Sequence, residues 1–310
     1  MSRLGDLGER GLIAKFMEFI RPEGSVGPGD DAAVLKRGVT ASTDVVSFDR
    51  HMAAGMTYEQ FGWYSAAVSF SDLAAMGARP VGFLAALALP DDLELQAACD
   101  IMSGIDQCAE FCGTGIAGGD TKKGPGIVTG TAIGLMEDRD PMLRSGARPG
   151  DVVCVTGPLG GPAAAMTAID CGLEAEDARQ CLYVPIPRVE EGMALAASGV
   201  VTSCIDLSDS LGTSLNILCR ESGVGMDLEY DFLPRGPDVR RIAEITETSE
   251  EGMLLDFGGE YELLFTADRN GLDVLYEMGV EFHIIGMVND GKGPELIRDG
   301  VRRVIRDGRY

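Results

Sequence analysis

Between Thr57 and Gly77 the chain carries two apolar stripes at helical spacing, Phe61, Ser65, Val68, Asp72 and Met76 on one and Trp63, Ala67, Phe70 and Ala74 on the other. A helix that is apolar on both stripes must be largely buried, so this segment belongs to the interior of whatever the chain folds into. It also takes Asp72 with it, among small and apolar neighbours. A carboxylate in such a place needs a partner.

Around this helix the pattern alternates. A helix is expected over Leu12, Phe16, Phe19 and Ile20, then a Gly- and Pro-rich loop from Gly24 that ends in Asp30 and Asp31. Strands are expected from Ala32, over 39–46 and over the apolar run 81–89, with an amphipathic helix over 93–112. Gly118-Gly119-Asp120-Thr121 reads as a turn before a strand over 127–136. The stretch R-S-G-A-R-P-G-D at 144–151 is polar and turn-rich, which places the domain boundary there, giving domains 1–143 and 144–310. The second half alternates again: strand 152–156, helices 162–171 and 188–198, strand 200–205, helix 208–222, strands near 226–230, 261–266 and 282–288, and a helix over 272–278. The fold class is α+β in two halves.

Charge narrows the function. With 49 acidic against 26 basic residues the formal net charge is −23, the wrong sign for nucleic acid or an anionic membrane surface. The longest apolar run, 81–89, is about half of what a bilayer crossing needs. The first ten residues mix charges and carry no apolar signal core, so a cytoplasmic location is expected. The eight cysteines form no C-x-x-C pair and read as small core residues of a reducing compartment. Only two histidines are present, too few for a His-rich zinc site.

The unusual feature is a series of acids at strand ends, in glycine loops and on the buried helix: Asp30, Asp31, Asp44, Asp72, Asp120, Asp206 and Asp209. Taken singly, G-D-D and G-G-D are ordinary turns, and D-L-S-D before a helix is an ordinary cap with Asp206, Ser208 or Asp209 as the capping residue. Taken together they suggest a site in which cations neutralise the carboxylates. Hard oxygen ligands without thiolate or imidazole suit magnesium, which also binds phosphates. The run Thr156-Gly157-Pro158-Leu159-Gly160-Gly161 follows a strand and opens a helix; it reads either as a phosphate-binding loop or as tight strand-to-helix packing. It lacks the Lys-Ser/Thr ending of a Walker loop. Arg144 can hold phosphate through its planar guanidinium or make a linker salt bridge.

These residues resemble the thiamine-monophosphate kinases of the aminoimidazole ribonucleotide synthetase-like superfamily. The matching pieces are G-D-D-A-A (29–33), S-T-D (42–44), S-D-L-A-A-M-G-A (71–78), G-G-D-T (118–121), R-S-G-A-R-P-G-D (144–151), D-L-S-D (206–209) and G-G-E-Y-E-L-L-F (258–265), in family order. The resemblance implies transfer of the ATP γ-phosphoryl group to thiamine monophosphate with several Mg2+ ions. It implies Asp30, Asp31, Ser42, Thr43, Asp44, Asp72, Asp120, Asp206 and Asp209 as metal ligands. Gly119, Asp120, Arg144 and Ser208 would contact ATP, and His51, Glu260 and Tyr310 the thiamine substrate. The implied fold is the two-domain aminoimidazole ribonucleotide synthetase-like α+β fold, a homodimer whose N-terminal sheets pair across the interface into a barrel.

Four departures from the family pattern stand out, one being that Tyr310 only loosely echoes the family's carboxy-terminal aromatic contact. The family's G-G-E-D-Y-E-L lacks one acid here, so Glu260 stands for either family acid; Ser210 sits where Gly is usual and Ser69 where Asn is common. Two superfamily relatives are disfavoured by their cysteines. Selenophosphate synthetases carry a reactive one near the amino terminus, whereas the first here is Cys99; the hydrogenase-maturation relative carries a C-terminal one, whereas none follows Cys219. Another ATP-using relative, or a non-catalytic nucleotide-binding one, is the alternative reading.

Overall fold

The computed structural model describes residues 8–19 and 24–307. In the first half, α1 (Gly8–Met17) precedes β1 (Ala33–Val34), β2 (Val39–Ser47), α2 (Phe48–His51), α3 (Tyr58–Met76), β3 (Arg79–Leu89), α4 (Leu95–Phe111), β4 (Ile116–Lys123) and β5 (Ile127–Leu135). The strands form one sheet in the order β1-β2-β5-β3-β4, antiparallel except for the parallel β3–β4 pair.

The second half runs β6 (Val152–Val155), α5 (Gly161–Cys171), α6 (Glu176–Tyr183), α7 (Val189–Ser198), β7 (Val201–Asp206), α8 (Leu211–Ser222) and β8 (Gly225–Glu229). It continues through α9 (Val239–Thr246), α10 (Glu250–Leu255), β9 (Leu263–Ala267), α11 (Leu272–Glu277), β10 (His283–Asn289), β11 (Gly293–Arg298) and β12 (Val301–Val304). Its sheet has the order β12-β11-β8-β10-β6-β9-β7. The segment 136–151 separates the two sheets.

Helix α3 is the keystone. Thr57 and Gln60 close a capping box at its start, and Gly77 in the left-handed region ends it. It packs on β2 and β5 of its own sheet, on α4 alongside, and on α7 and β7 of the second half, so the doubly apolar pattern has a physical cause. The α3–α4 crossing is close because both helices present glycine. A Cβ on Gly62 would lie 2.0 Å from the Ile101 carbonyl oxygen, and one on Gly104 would lie 1.9 Å from that of Glu59.

Several expectations need correcting. Gly118-Gly119-Asp120-Thr121 is not a turn but part of the edge strand β4; Gly119 is needed because a Cβ there would sit 1.8 Å from the Ala85 carbonyl oxygen. The cap of α8 is Ser210, whose hydroxyl accepts from the Thr213 amide, since Asp206 still belongs to β7. Helices α6, α9 and α10 and strands β11 and β12 escaped sequence reading. They are short, and β12 (V-R-R-V) is exposed at every position and shows no buried alternation.

Candidate active site

The strand period of two decides which residues of S-T-D can act together. On β2, Ser42 and Asp44 face α3: the Ser42 hydroxyl donates to Asp72 Oδ2, and Ser69 Oγ donates to Asp44 Oδ2 at 2.9 Å. Thr43 faces the opposite side, where its hydroxyl donates to the Gly130 carbonyl and meets the Thr131 hydroxyl, each at 2.9 Å. The last turns of α3 therefore carry the polar residues that organise the acids. Ser69 holds Asp44, Asp72 receives Ser42, and Ser71 donates to Asp206 Oδ2 at 2.6 Å.

Asp31 arrives from the loop after Gly29, which adopts φ +135°, a conformation that glycine supplies at little cost. Its side chain is 1% exposed and Oδ1 accepts from Arg144 Nη2 at 2.7 Å. Arg144 also donates its backbone amide to Asp30 Oδ1 at 2.8 Å and Nη1 to the Gly29 carbonyl at 3.3 Å. The linker arginine thus grips the whole Gly29-Asp30-Asp31 loop.

Asp31, Asp72 and Asp206 each offer a carboxylate oxygen, and the three lie within 4.8 Å of one another. Burial, reinforced by the neighbouring acids, holds the Asp72 carboxyl well above its ordinary range. Burial likewise raises Asp44 and Asp206, the latter against its Ser71 and Ser208 hydrogen bonds. Burial carries Asp31 up to about 7, although Arg144 pulls the other way. Asp31 Oδ2 is buried without a partner. A divalent cation fits these donors: it would complete the orphaned oxygen, relieve the repulsion and accept hard oxygen ligands.

The remaining predicted residues are more scattered. Ser208, exposed in the turn after β7, donates to Asp206 Oδ1 at 2.9 Å, and half-buried Asp209 follows it. Asp120 is exposed on β4 with Gly119; its Oδ1 accepts from the Thr121 amide. Register puts Asp120 beside Ala86, three strands from β2, roughly 14 Å away at the usual strand spacing. It shares the outward sheet face with Thr43 rather than the face of Asp72.

His51 ends α2, with Nδ1 accepting from the Ser47 amide at 3.1 Å. Burial lowers its pKa, and it lines two adjoining clefts of about 120 and 340 Å³. Glu260 is elsewhere. Its Oε1 accepts from the Gly160 amide at 3.0 Å, its Oε2 has no partner, and it lines a groove of about 390 Å³ with Arg188, Cys181 and Pro162. His51 lines neither that groove nor its walls. Tyr310 lies outside the described residues.

The glycine run 156–161 serves packing. A Cβ on Gly157 would collide with the Glu262 carboxylate at 2.2 Å, and the Gly160 amide is taken by Glu260. Glu262 is itself gripped by Arg188, Nη2 to Oε1 at 2.6 Å and Nε to Oε2 at 2.7 Å, and accepts from Thr156. The sequence assigns no role to Ser69, Ser71, Tyr64 or Tyr261, although Ser69 departs from the family pattern and Ser71 and Tyr261 fall inside matching motifs. Polar side chains inside an otherwise apolar helix were the available signal for the first three.

Residues 29–136 match the AIR synthase related protein, N-terminal domain, and residues 148–299 the C-terminal domain of the same family. A thiamine-monophosphate kinase of Methanopyrus kandleri is 34% identical over 94% of this chain and 93% of its own length. Its Escherichia coli counterpart is 34% identical over 94% of each chain. Among solved structures, a complex titled AaThiL with AMPPCP and TMP superposes with a TM-score of 0.86 at 27% identity, covering 98% of this chain and 97% of the other.

Proposed function

The chain belongs to the AIR synthase related protein family and within it to the thiamine-monophosphate kinases, and from that premise we propose that it transfers the γ-phosphoryl group of ATP to thiamine monophosphate, giving thiamine diphosphate and ADP. The observation that carries this reading is the cage of Asp31, Asp72 and Asp206, with Asp44 beside it on β2. These carboxylates would hold magnesium, whose charge would offset that of the phosphates. Asp30, Asp31, Asp44, Asp72, Asp206 and Asp209 would hold it, with the Ser42 hydroxyl beside Asp72.

The chain's own residues then have defined tasks. Arg144 fixes the acidic loop and offers its guanidinium charge to ATP, while the Ser208 hydroxyl and the backbone at Gly119 would contact ATP as neutral hydrogen-bonding groups. Ser69 and Ser71 orient the carboxylates. The acceptor is a phosphate monoester with a second pKa of about 6, already largely dianionic at neutral pH, so no strong general base is required. His51, whose pKa burial lowers, would face the substrate instead; Glu260 lines a separate groove, and its place in the substrate set, with that of Tyr310, rests on the family resemblance.

Thr43 and Asp120 would serve as ligands on the outward sheet face, apart from the cage of Asp31, Asp72 and Asp206. That face exposes Val45 at 61%, Val81 at 41% and Leu84 at 36%, an apolar surface suited to a second copy. A homodimer closing two such sheets into a barrel accounts for it. Domains 1–143 and 144–310 meet at Arg144. No described helix is long and apolar enough to cross a membrane, and eight free cysteines suit the reducing cytoplasm.

The test is direct: purified protein, ATP, magnesium and thiamine monophosphate, with thiamine diphosphate read by chromatography. Turnover of an aminoimidazole precursor without turnover of thiamine monophosphate would sink the reading.

A further inference from the structure

The 120 Å³ and 340 Å³ clefts share four residues, His51, Tyr64, Ser208 and Tyr261. The smaller is acidic, with Asp44 and Asp72; the wider is mixed, lined by Met166, Leu182 and Phe257 together with Arg50 and Asp256. A two-ended acceptor, anionic at one end and heterocyclic at the other, fits such a pair of spaces only if its phosphate arm crosses the shared neck.

At that neck the hydroxyls of Tyr64 and Tyr261 meet at 2.9 Å, their rings edge-on at 82° with centroids 5.9 Å apart. They arrive from opposite halves of the chain. Tyr64 stands on α3, whereas Tyr261 stands in the loop before β9, its amide bonded to the Leu207 carbonyl. Tyr261 also holds φ +54°, a costly conformation for a bulky residue, kept where surrounding structure over-determines it. Two hydroxyls carry two protons. Their mutual bond uses one, and among the described residues the other has no protein acceptor.

We propose that Tyr64 and Tyr261 act as one substrate-positioning pair, whose spare O–H donates to the phosphate arm of the acceptor and favours a phosphate monoester over the unphosphorylated alcohol. This rests on the kinase reading above. A charge-assisted donor of this kind is worth about tenfold in affinity.

The experiment compares wild type with Tyr64→Phe, Tyr261→Phe and the double variant, which keep both rings. The readouts are steady-state kinetics and calorimetric binding of thiamine monophosphate and of thiamine. Each single variant is expected to raise the KM and Kd for thiamine monophosphate about tenfold, leaving the KM for ATP within about twofold and thiamine binding unchanged. The double variant should be little worse than either single one, as for residues that act as a unit. Unchanged acceptor affinity, equal losses for ATP and acceptor, or multiplying effects in the double variant would overturn the pair while leaving the kinase reading intact. Should Tyr261→Phe fail to fold, Tyr64→Phe decides by the same ratios. Wild type that binds thiamine monophosphate without phosphorylating it would remove the kinase reading, and the binding ratios would still decide the pair; wild type that does not bind it would remove both.

Discussion

Ser71 on α3 donates a 2.6 Å hydrogen bond to Asp206 at the end of β7, across 135 residues of sequence. Both are buried, so the bond joins the two halves of the molecule at the acidic cage and holds one carboxylate in place.

Replacing Ser71 with Ala leaves Asp206 buried with one donor fewer. Losing a hydrogen bond to a buried acid costs about 1.5–3 kcal/mol, and the freed carboxylate loses its fixed orientation. Denaturant unfolding of Ser71→Ala should show that loss, with kcat falling as well. Wild-type stability together with wild-type kcat would mean that Ser71 is a bystander.

Asp72 is costly to the metal-free protein, because burial and the acids around it oppose its charge. Asp72→Asn removes that cost. In chelator, its melting temperature should equal or exceed that of wild type. Added magnesium at a hundred times its Kd stabilises a binding protein by about 2.7 kcal/mol; the variant should lose that increment along with activity. An undiminished magnesium increment would remove Asp72 from the site.

Burial pushes Glu260 up to about 8 from an ordinary 4.5. Its folded form therefore holds a proton more tightly than the unfolded chain does. The stability this contributes is fully present below the ordinary value, declines as pH rises, and is lost above about 8. In chelated buffer, wild type should lose stability relative to Glu260→Gln as pH climbs through that window. A stability difference independent of pH would show that Glu260 does not titrate there.

Gly62 tests the helix crossing. A methyl group there meets the Ile101 carbonyl at 2.0 Å, so Gly62→Ala must part α3 from α4. Overpacking of this kind costs about 1–3 kcal/mol, and urea unfolding should register it. A stability equal to wild type would mean that the crossing yields without cost.

The sequence by itself determined the burial of α3, since no surface helix tolerates apolar residues on both stripes, and it determined the alternation that yields two mixed sheets. It also marked the acids, because Asp next to Gly or at strand ends is visible as residue type and position. Which acids meet was not legible. Asp44 and Thr43 are neighbours in the chain yet face opposite sides of β2, and Asp31, Asp72 and Asp206 converge from a loop, a helix and a strand. Tertiary structure alone set Asp120 apart on β4, parted Glu260 from the His51 clefts, and paired Tyr64 with Tyr261. The physical reason is that local pattern fixes period and burial, whereas proximity between distant segments depends on register and on how the elements pack.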